Sequence, residues 1–146
     1  DKSIYFQDNN LHWAQLCAQQ HNDESTVRHI DDNRQLTFST DYGDALFRNF
    51  SPMRYQLPFF YGLFNKHIWI VMFDRTEGLR ITHSPSGGGK NSQHQTTNPA
   101  WDFQFIIPDY QVHTEYGFNA RMVYRPSCSR EMILNEYQRW INISNR

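Results

Sequence analysis

A chain of 146 residues can bury one hydrophobic core and has no need of a second, so a single domain over residues 1–146 is expected. Its formal net charge of -1 gives no electrostatic footprint for nucleic acid or an anionic membrane, and no apolar window approaches the ~20 residues of a bilayer-crossing helix. Aromatic residues make up 16% of the chain, yet the mean hydropathy is -0.77, so the apolar material sits in a few large rings among polar neighbours, as in a β-rich core or a surface for flat amphipathic ligands.

The chain opens with a short strand expected at Ser3–Gln7. Asp8 to Asn10 supply helix-capping side chains, and Leu11, Ala14 and Ala18 recur at helical spacing, so an N-terminal helix is expected over 11–21. Thr26 to Arg34 is polar and dense in charge, with a turn at Asp31–Asn33. Leu36 and Phe38 alternate in a strand at Gln35–Ser39, a turn follows at Asp41–Asp44, and Ala45–Phe50 is a further strand candidate.

Tyr55 to Phe64 is the next unit, with Pro58 confining it to an edge, a bulge or a strand start. Asn65-Lys66 marks a turn into His67–Asp74, whose run IWIVMF is apolar on both faces and predicts a central strand covered on each side. After a turn at Thr76–Gly78, Leu79–His83 alternates again. Ser84 to Pro99 offers no apolar anchor and is expected as a long exposed loop. Strands follow at Ala100–Ile107 and Gly117–Tyr124, the latter with Phe118, Ala120, Met122 and Tyr124 on one face. A terminal helix over Arg130–Ile143 carries Met132, Ile133, Tyr137, Trp140 and Ile141 at helical spacing, with Ser127 or Ser129 as its cap. The expected class is mainly β: an antiparallel β-sandwich or jelly roll with an N-terminal and a C-terminal helix. An α+β helix-grip fold around an internal cavity is the alternative.

His83 closes an alternating strand on the same face as Leu79 and Ile81, where packing holds a ring at the edge of solvent; as a catalytic residue it would be a general base. The glycine run after it lacks the spacing, the Ser or Thr after Lys90 and the following helix that a phosphate loop requires. Asp102 and Gln104 alternate against Trp101 and Phe103, and Arg121 alternates against Ala120 and Met122. If those strands pair, Asp102 meets Arg121 and, with Gln104, offers donors and acceptors to hydroxyl or carboxylate groups. His12, His21, His29, His67, His83, His94 and His113 show no spacing typical of adjacent metal ligands, so no metal and no cofactor are expected. Cys17 and Cys128 are too few for a zinc site and fit a reducing compartment, favouring the cytoplasm over export. The chain starts at Asp1 without methionine, consistent with a missing upstream segment.

The order of HSPSGGG, NPAWDFQFIIPDY, YGFNARMVY and REMILNEYQRW resembles the C-terminal, β-rich part of a group of uncharacterised bacterial proteins, over Tyr55 to Trp140. The resemblance brings no established activity and no catalytic residue. It implies that Gly87–Gly89 and Trp101–Gln104 belong to one recurrent unit and that the chain is part of a longer protein.

The leading expectation is a carbohydrate-associated domain that binds a sugar or similar polar ligand, with modification of that ligand left open. Tyr61, Trp69 and Trp101 would stack on sugar rings, while Asp102, Gln104 and Arg121 would bridge hydroxyls. Two alternatives come from other classes: a non-enzymatic module forming a homodimer through exposed aromatics, and a small-molecule enzyme with a cavity beside His83.

Overall fold

The computed structural model describes residues 3–18, 24–34, 49–90 and 97–144. Among them the chain is mainly β, with two sheets and one C-terminal helix. The strands are β1 (Ile4–Gln7), β2 (Trp13–Leu16), β3 (Thr26–His29), β4 (Phe50–Tyr55), β5 (Phe59–Phe64), β6 (His67–Phe73), β7 (Leu79–Lys90), β8 (Thr97–Phe105) and β9 (Ala120–Pro126). The helix, α1, is Arg130–Ser144. The first sheet has the order β2-β1-β5-β6-β9 and is antiparallel throughout. The second has the order β4-β3-β7-β8, with β3 and β4 parallel.

The expected N-terminal helix is not formed. Asp8 turns the chain instead: its Oδ1 accepts the backbone N–H groups of Asn10 (2.8 Å) and His12 (2.9 Å), and Leu11 takes a φ of 60°. A short carboxylate serves a turn as readily as a helix start. Trp13–Leu16 therefore folds back on β1, pairing Ile4 with Leu16 and Gln7 with Trp13. Ala14 and Leu16 then face one core and Trp13 the other, a period of two within a segment that also fits a helical spacing.

The middle of the first sheet, in β1, β5 and β6, packs against a core on each face. Ile4, Phe6, Phe60, Val71 and Phe73 join Val27, Leu79 and Ile81 of the second sheet in one core. Tyr5, Phe59, Tyr61, Ile68, Ile70 and Met72 face the other way and pack on Ile133, Tyr137 and Trp140 of α1. This accounts for the apolar residues of IWIVMF other than Trp69, which is exposed. Ser129 caps α1 by accepting the Met132 N–H at 3.2 Å.

The Asn65-Lys66 turn forms where it is expected, whereas the segment after Ser84 differs. Asn65 makes the β5–β6 turn with a φ of 55°, which asparagine tolerates. The segment expected as loop from Ser84 to Pro99 is strand at both ends, because β7 continues to Lys90 and pairs Gly88 with Asn98 and Lys90 with Thr97. Without apolar residues, backbone pairing across a hairpin leaves little trace in a hydropathy pattern. The expected strand at Gln35–Ser39, the turn at Asp41–Asp44, most of Ala45–Phe50, and residues 91–96 lie outside the described residues, as do residues 19–21 of the expected helix.

Candidate functional site

His83 lies on the inward face of β7 with Leu79 and Ile81, as alternation predicts, but it is only 1% exposed. Its Nδ1 accepts the backbone N–H of Ala18 at 3.1 Å, and its own N–H donates to the Ser25 carbonyl at 3.0 Å. A ring nitrogen that accepts an amide proton leaves the neutral imidazole with its proton on Nε2. His83 thus ties the chain after β2 to β7, and the ring does not reach solvent as a general base would. Burial raises the pKa of Asp102.

Asp102 and Arg121 do not meet. β8 pairs with β7 in the second sheet, whereas β9 pairs with β6 in the first. Arg121 points to the helix layer and reaches Glu136 of α1 at 2.9 Å, where Arg139 also arrives at 2.8 Å. Asp102 and Gln104 lie on the outer face of the second sheet, in register with Thr82 and Arg80. There Gln104 Nε2 donates to Thr82 Oγ1 at 3.1 Å, and Thr82 contacts Thr26 Oγ1 at 3.1 Å.

The aromatic candidates separate as well. Tyr61 is buried under α1, stacked on Tyr5 at 5.1 Å and met edge-on by Trp13 at 5.5 Å; its hydroxyl accepts from Arg130 Nε at 3.1 Å. It supports the helix and offers no free ring face. Trp101 stands with its indole directly on Gly62, where any Cβ would collide with the ring. Gly62 is the cross-strand partner of Trp69, and Trp69 in turn is the partner of Tyr124. Trp101 thus comes from the second sheet onto β5, beside the β6 and β9 positions that carry Trp69 and Tyr124.

Beyond Val71 and Phe73 this face runs out from under the second sheet. Trp69 is 42% exposed and Tyr124 55%. Their rings meet edge to face at 6.0 Å, and His67 stacks on Tyr124 at 4.8 Å with the planes 12° apart. Trp101 forms a step above this shelf, and the indole N–H, the imidazole and the phenol bring polar groups to it. Tyr124 and His67 were missed in the sequence; their signal was the alternation of β6 and β9, which places them in phase with Trp69.

A second, polar cleft of about 160 Å³ lies on the other side of β7's first residues, lined by His29, Asp32, Arg34, Glu77, Gly78 and Arg80 among others. Gly78 belongs there for backbone reasons: its φ is 72°, and the Ile106 carbonyl occupies the place of a Cβ. Arg80 Nε donates to Asp32 Oδ2 at 3.0 Å. Tyr55 donates its hydroxyl to the Leu79 carbonyl at 2.8 Å, and burial pushes that phenol above its ordinary range. Sequence reading passed over this cleft because Thr26–Arg34 looks like a solvated charge run.

Among the described residues no group of three or more His, Cys, Asp or Glu side chains is placed to hold a metal ion, and no helix is long and apolar enough to cross a membrane. No family model, curated protein or solved structure matches this chain.

Proposed function

We propose that the two sheets form a β-sandwich binding domain whose ligand is a sugar or a similar polar ring, received on the shelf of Trp69 and Tyr124 beside Trp101. The observation that carries this reading is the exposure of two large rings in edge-to-face contact, 42% and 55%, on the part of the sheet face beyond the core residues Val71 and Phe73. Sugar rings present C–H faces to such aromatic surfaces, while hydroxyls take hydrogen bonds from groups at the margin. His67, the Tyr124 hydroxyl and the Trp69 indole N–H supply those groups. In this reading Tyr61 and Arg121 are structural, Trp101 shapes the site, and the buried His83 gives no support to catalysis.

The test is a glycan array followed by calorimetry on each retained ligand. Trp69→Ala and Tyr124→Ala each weaken binding by about tenfold or more, in line with ~1–3 kcal/mol per stacked ring. Absence of any retained glycan, or retention unchanged by both substitutions, refutes the reading.

A second reading is favoured by Phe64 and Met122, which are 60% and 66% exposed on or beside the same face. Apolar side chains so placed suit a protein interface, here a homodimer. Light scattering separates the two: a concentration-dependent dimer abolished by Met122→Asp supports the interface, and a strict monomer removes it.

A further inference from the structure

Arg80 is 2% exposed, and among the described residues its carboxylate partner is Asp32. Its Nη1 is buried and, among the described residues, finds no hydrogen-bond partner, and the same is true of Arg28 Nε. The two guanidinium groups share one ring: Arg28 lies 4.0 Å and Arg80 4.9 Å from the centroid of Phe50. A third arginine closes the group, because Arg54 Nη1 donates to the carbonyls of Asp32 (2.7 Å) and His29 (3.3 Å). Burial, followed by the charge of Arg54, holds Arg28 below the usual arginine range, with Arg80 pushing the same way.

Among the described residues, three guanidinium groups thus gather beside Asp32, but only Arg80 pairs with its carboxylate, since Arg54 takes its backbone carbonyl and Arg28 lies over Phe50. A buried N–H left unpaired costs ~1–3 kcal/mol, more when it belongs to a charged group, so a cluster of this kind is stabilised by an added acceptor. Arg80 is also a wall of the polar cleft, which opens between the turn after β3, the Thr76–Gly78 turn and Ile106. Three carboxylates also line it, Asp32 paired with Arg80 and the other two at its mouth. Asp31 is largely exposed, and Glu77, also exposed, is engaged by Arg34 at 3.4 Å.

We infer that the cleft beside Arg80 is a binding site for a small oxyanion, the carboxylate, sulfate or phosphate group of a ligand. Arg80 Nη1 supplies the buried donor, Arg34 at the rim swings from Glu77 to the anion, and the charge of Arg28 and Arg54 lowers the cost of desolvating it. The site lies at the opposite end of β7 from the Trp69 shelf and does not rest on the sugar-binding reading.

The experiment is an NMR titration of the intact chain, following backbone amides and arginine Nε–H signals, with sodium sulfate, phosphate, acetate and chloride at matched ionic strength. Saturable shifts of Arg80 Nε–H and the Gly78 amide with at least one oxyanion, absent with chloride and absent at the Trp69 indole, support the site; comparing the three salts identifies the preferred head group. Arg34→Gln, a substitution at an exposed rim residue, weakens the binding by about tenfold, as loss of one charge-assisted contact implies. Arg80→Met abolishes it if that variant folds. Shifts no larger than with chloride, shifts spread equally over Arg121, Arg125 and Arg139, or an Arg34→Gln titration that matches wild type overturn the inference.

Discussion

Replacing Gly62 with alanine places a methyl group where the six-membered edge of the Trp101 indole now lies. Three ring atoms sit within van der Waals overlap of that methyl, and the ring cannot slide inward because β8 is fixed on β7 by pairing from Leu79–Phe105 to Ser84–Ala100. Overpacking of this type costs ~1–3 kcal/mol. The substitution also restricts the unfolded chain, which returns about 0.4–1 kcal/mol. The expected net loss is about 1–2 kcal/mol, or a fall in Tm of about 3–8 °C for a domain of this length. The assay is urea unfolding of the wild type, Gly62→Ala, Trp101→Ala and the double variant. If the indole is what excludes the methyl, Gly62→Ala is neutral or stabilising once Trp101 is gone, giving a coupling of about 1 kcal/mol or more. Equal stability of Gly62→Ala and wild type, or strict additivity in the double variant, refutes the reasoning. The same variant tests the shelf, since lifting Trp101 changes the step beside Trp69 and should alter the binding of any glycan retained there.

Asp32→Asn leaves Arg80 buried without its carboxylate and should lower stability by ~3–5 kcal/mol, while Arg80→Met, which removes the buried charge itself, should cost less; the reverse order in urea unfolding counts against the arrangement. Ser129→Ala removes the cap of α1 and is expected to cost ~1 kcal/mol, read as a shift of the urea midpoint with unchanged slope. Asp102 should show in the pH dependence of stability. Burial raises its folded pKa, so the folded state disfavours the carboxylate: no penalty operates below the unfolded pKa, and stability is lost as pH rises through the unfolded value toward the folded one. Asp102→Asn should therefore raise Tm at neutral pH and leave it nearly unchanged near pH ~3, below the ordinary aspartate value; a uniform change at both pH values refutes it.

The parts of the fold legible in the sequence are those where burial and period agree. IWIVMF reads as a strand covered on both sides, and Ile133, Tyr137 and Trp140 fall on the buried face of α1. The first failure comes at Asp8–Leu16, where one set of residues satisfies both a capped helix and a hairpin, and pairing with β1 decides between them. The second comes at β3, where Thr26 and His29 are buried although polar, because Thr26 bonds Thr82 and His29 packs on Tyr55. Site residues were legible only in part for a related reason. Alternation puts a side chain on a face, and it did so correctly for His83, but it cannot say whether that face is covered. His83 lies under the chain after β2, whereas Trp69 lies beyond the reach of the second sheet. Asp102 and Arg121 were linked on the assumption that neighbouring segments pair, which the order of the two sheets does not follow.

That order has a kinetic consequence. β1 is held between β2 and β5, so it waits for Phe59–Phe64, more than fifty residues later, before its second edge is paired. Until then the Ile4–Leu16 hairpin carries Ile4, Tyr5 and Phe6 with neither of their cores in place. The β5–β6 hairpin, by contrast, closes over a two-residue turn and brings both core faces with it. Folding that begins at this hairpin and recruits β1 afterwards keeps the early loop-closure cost low. Substitutions around Asn65 should then slow folding, and those in β1 should mainly speed unfolding.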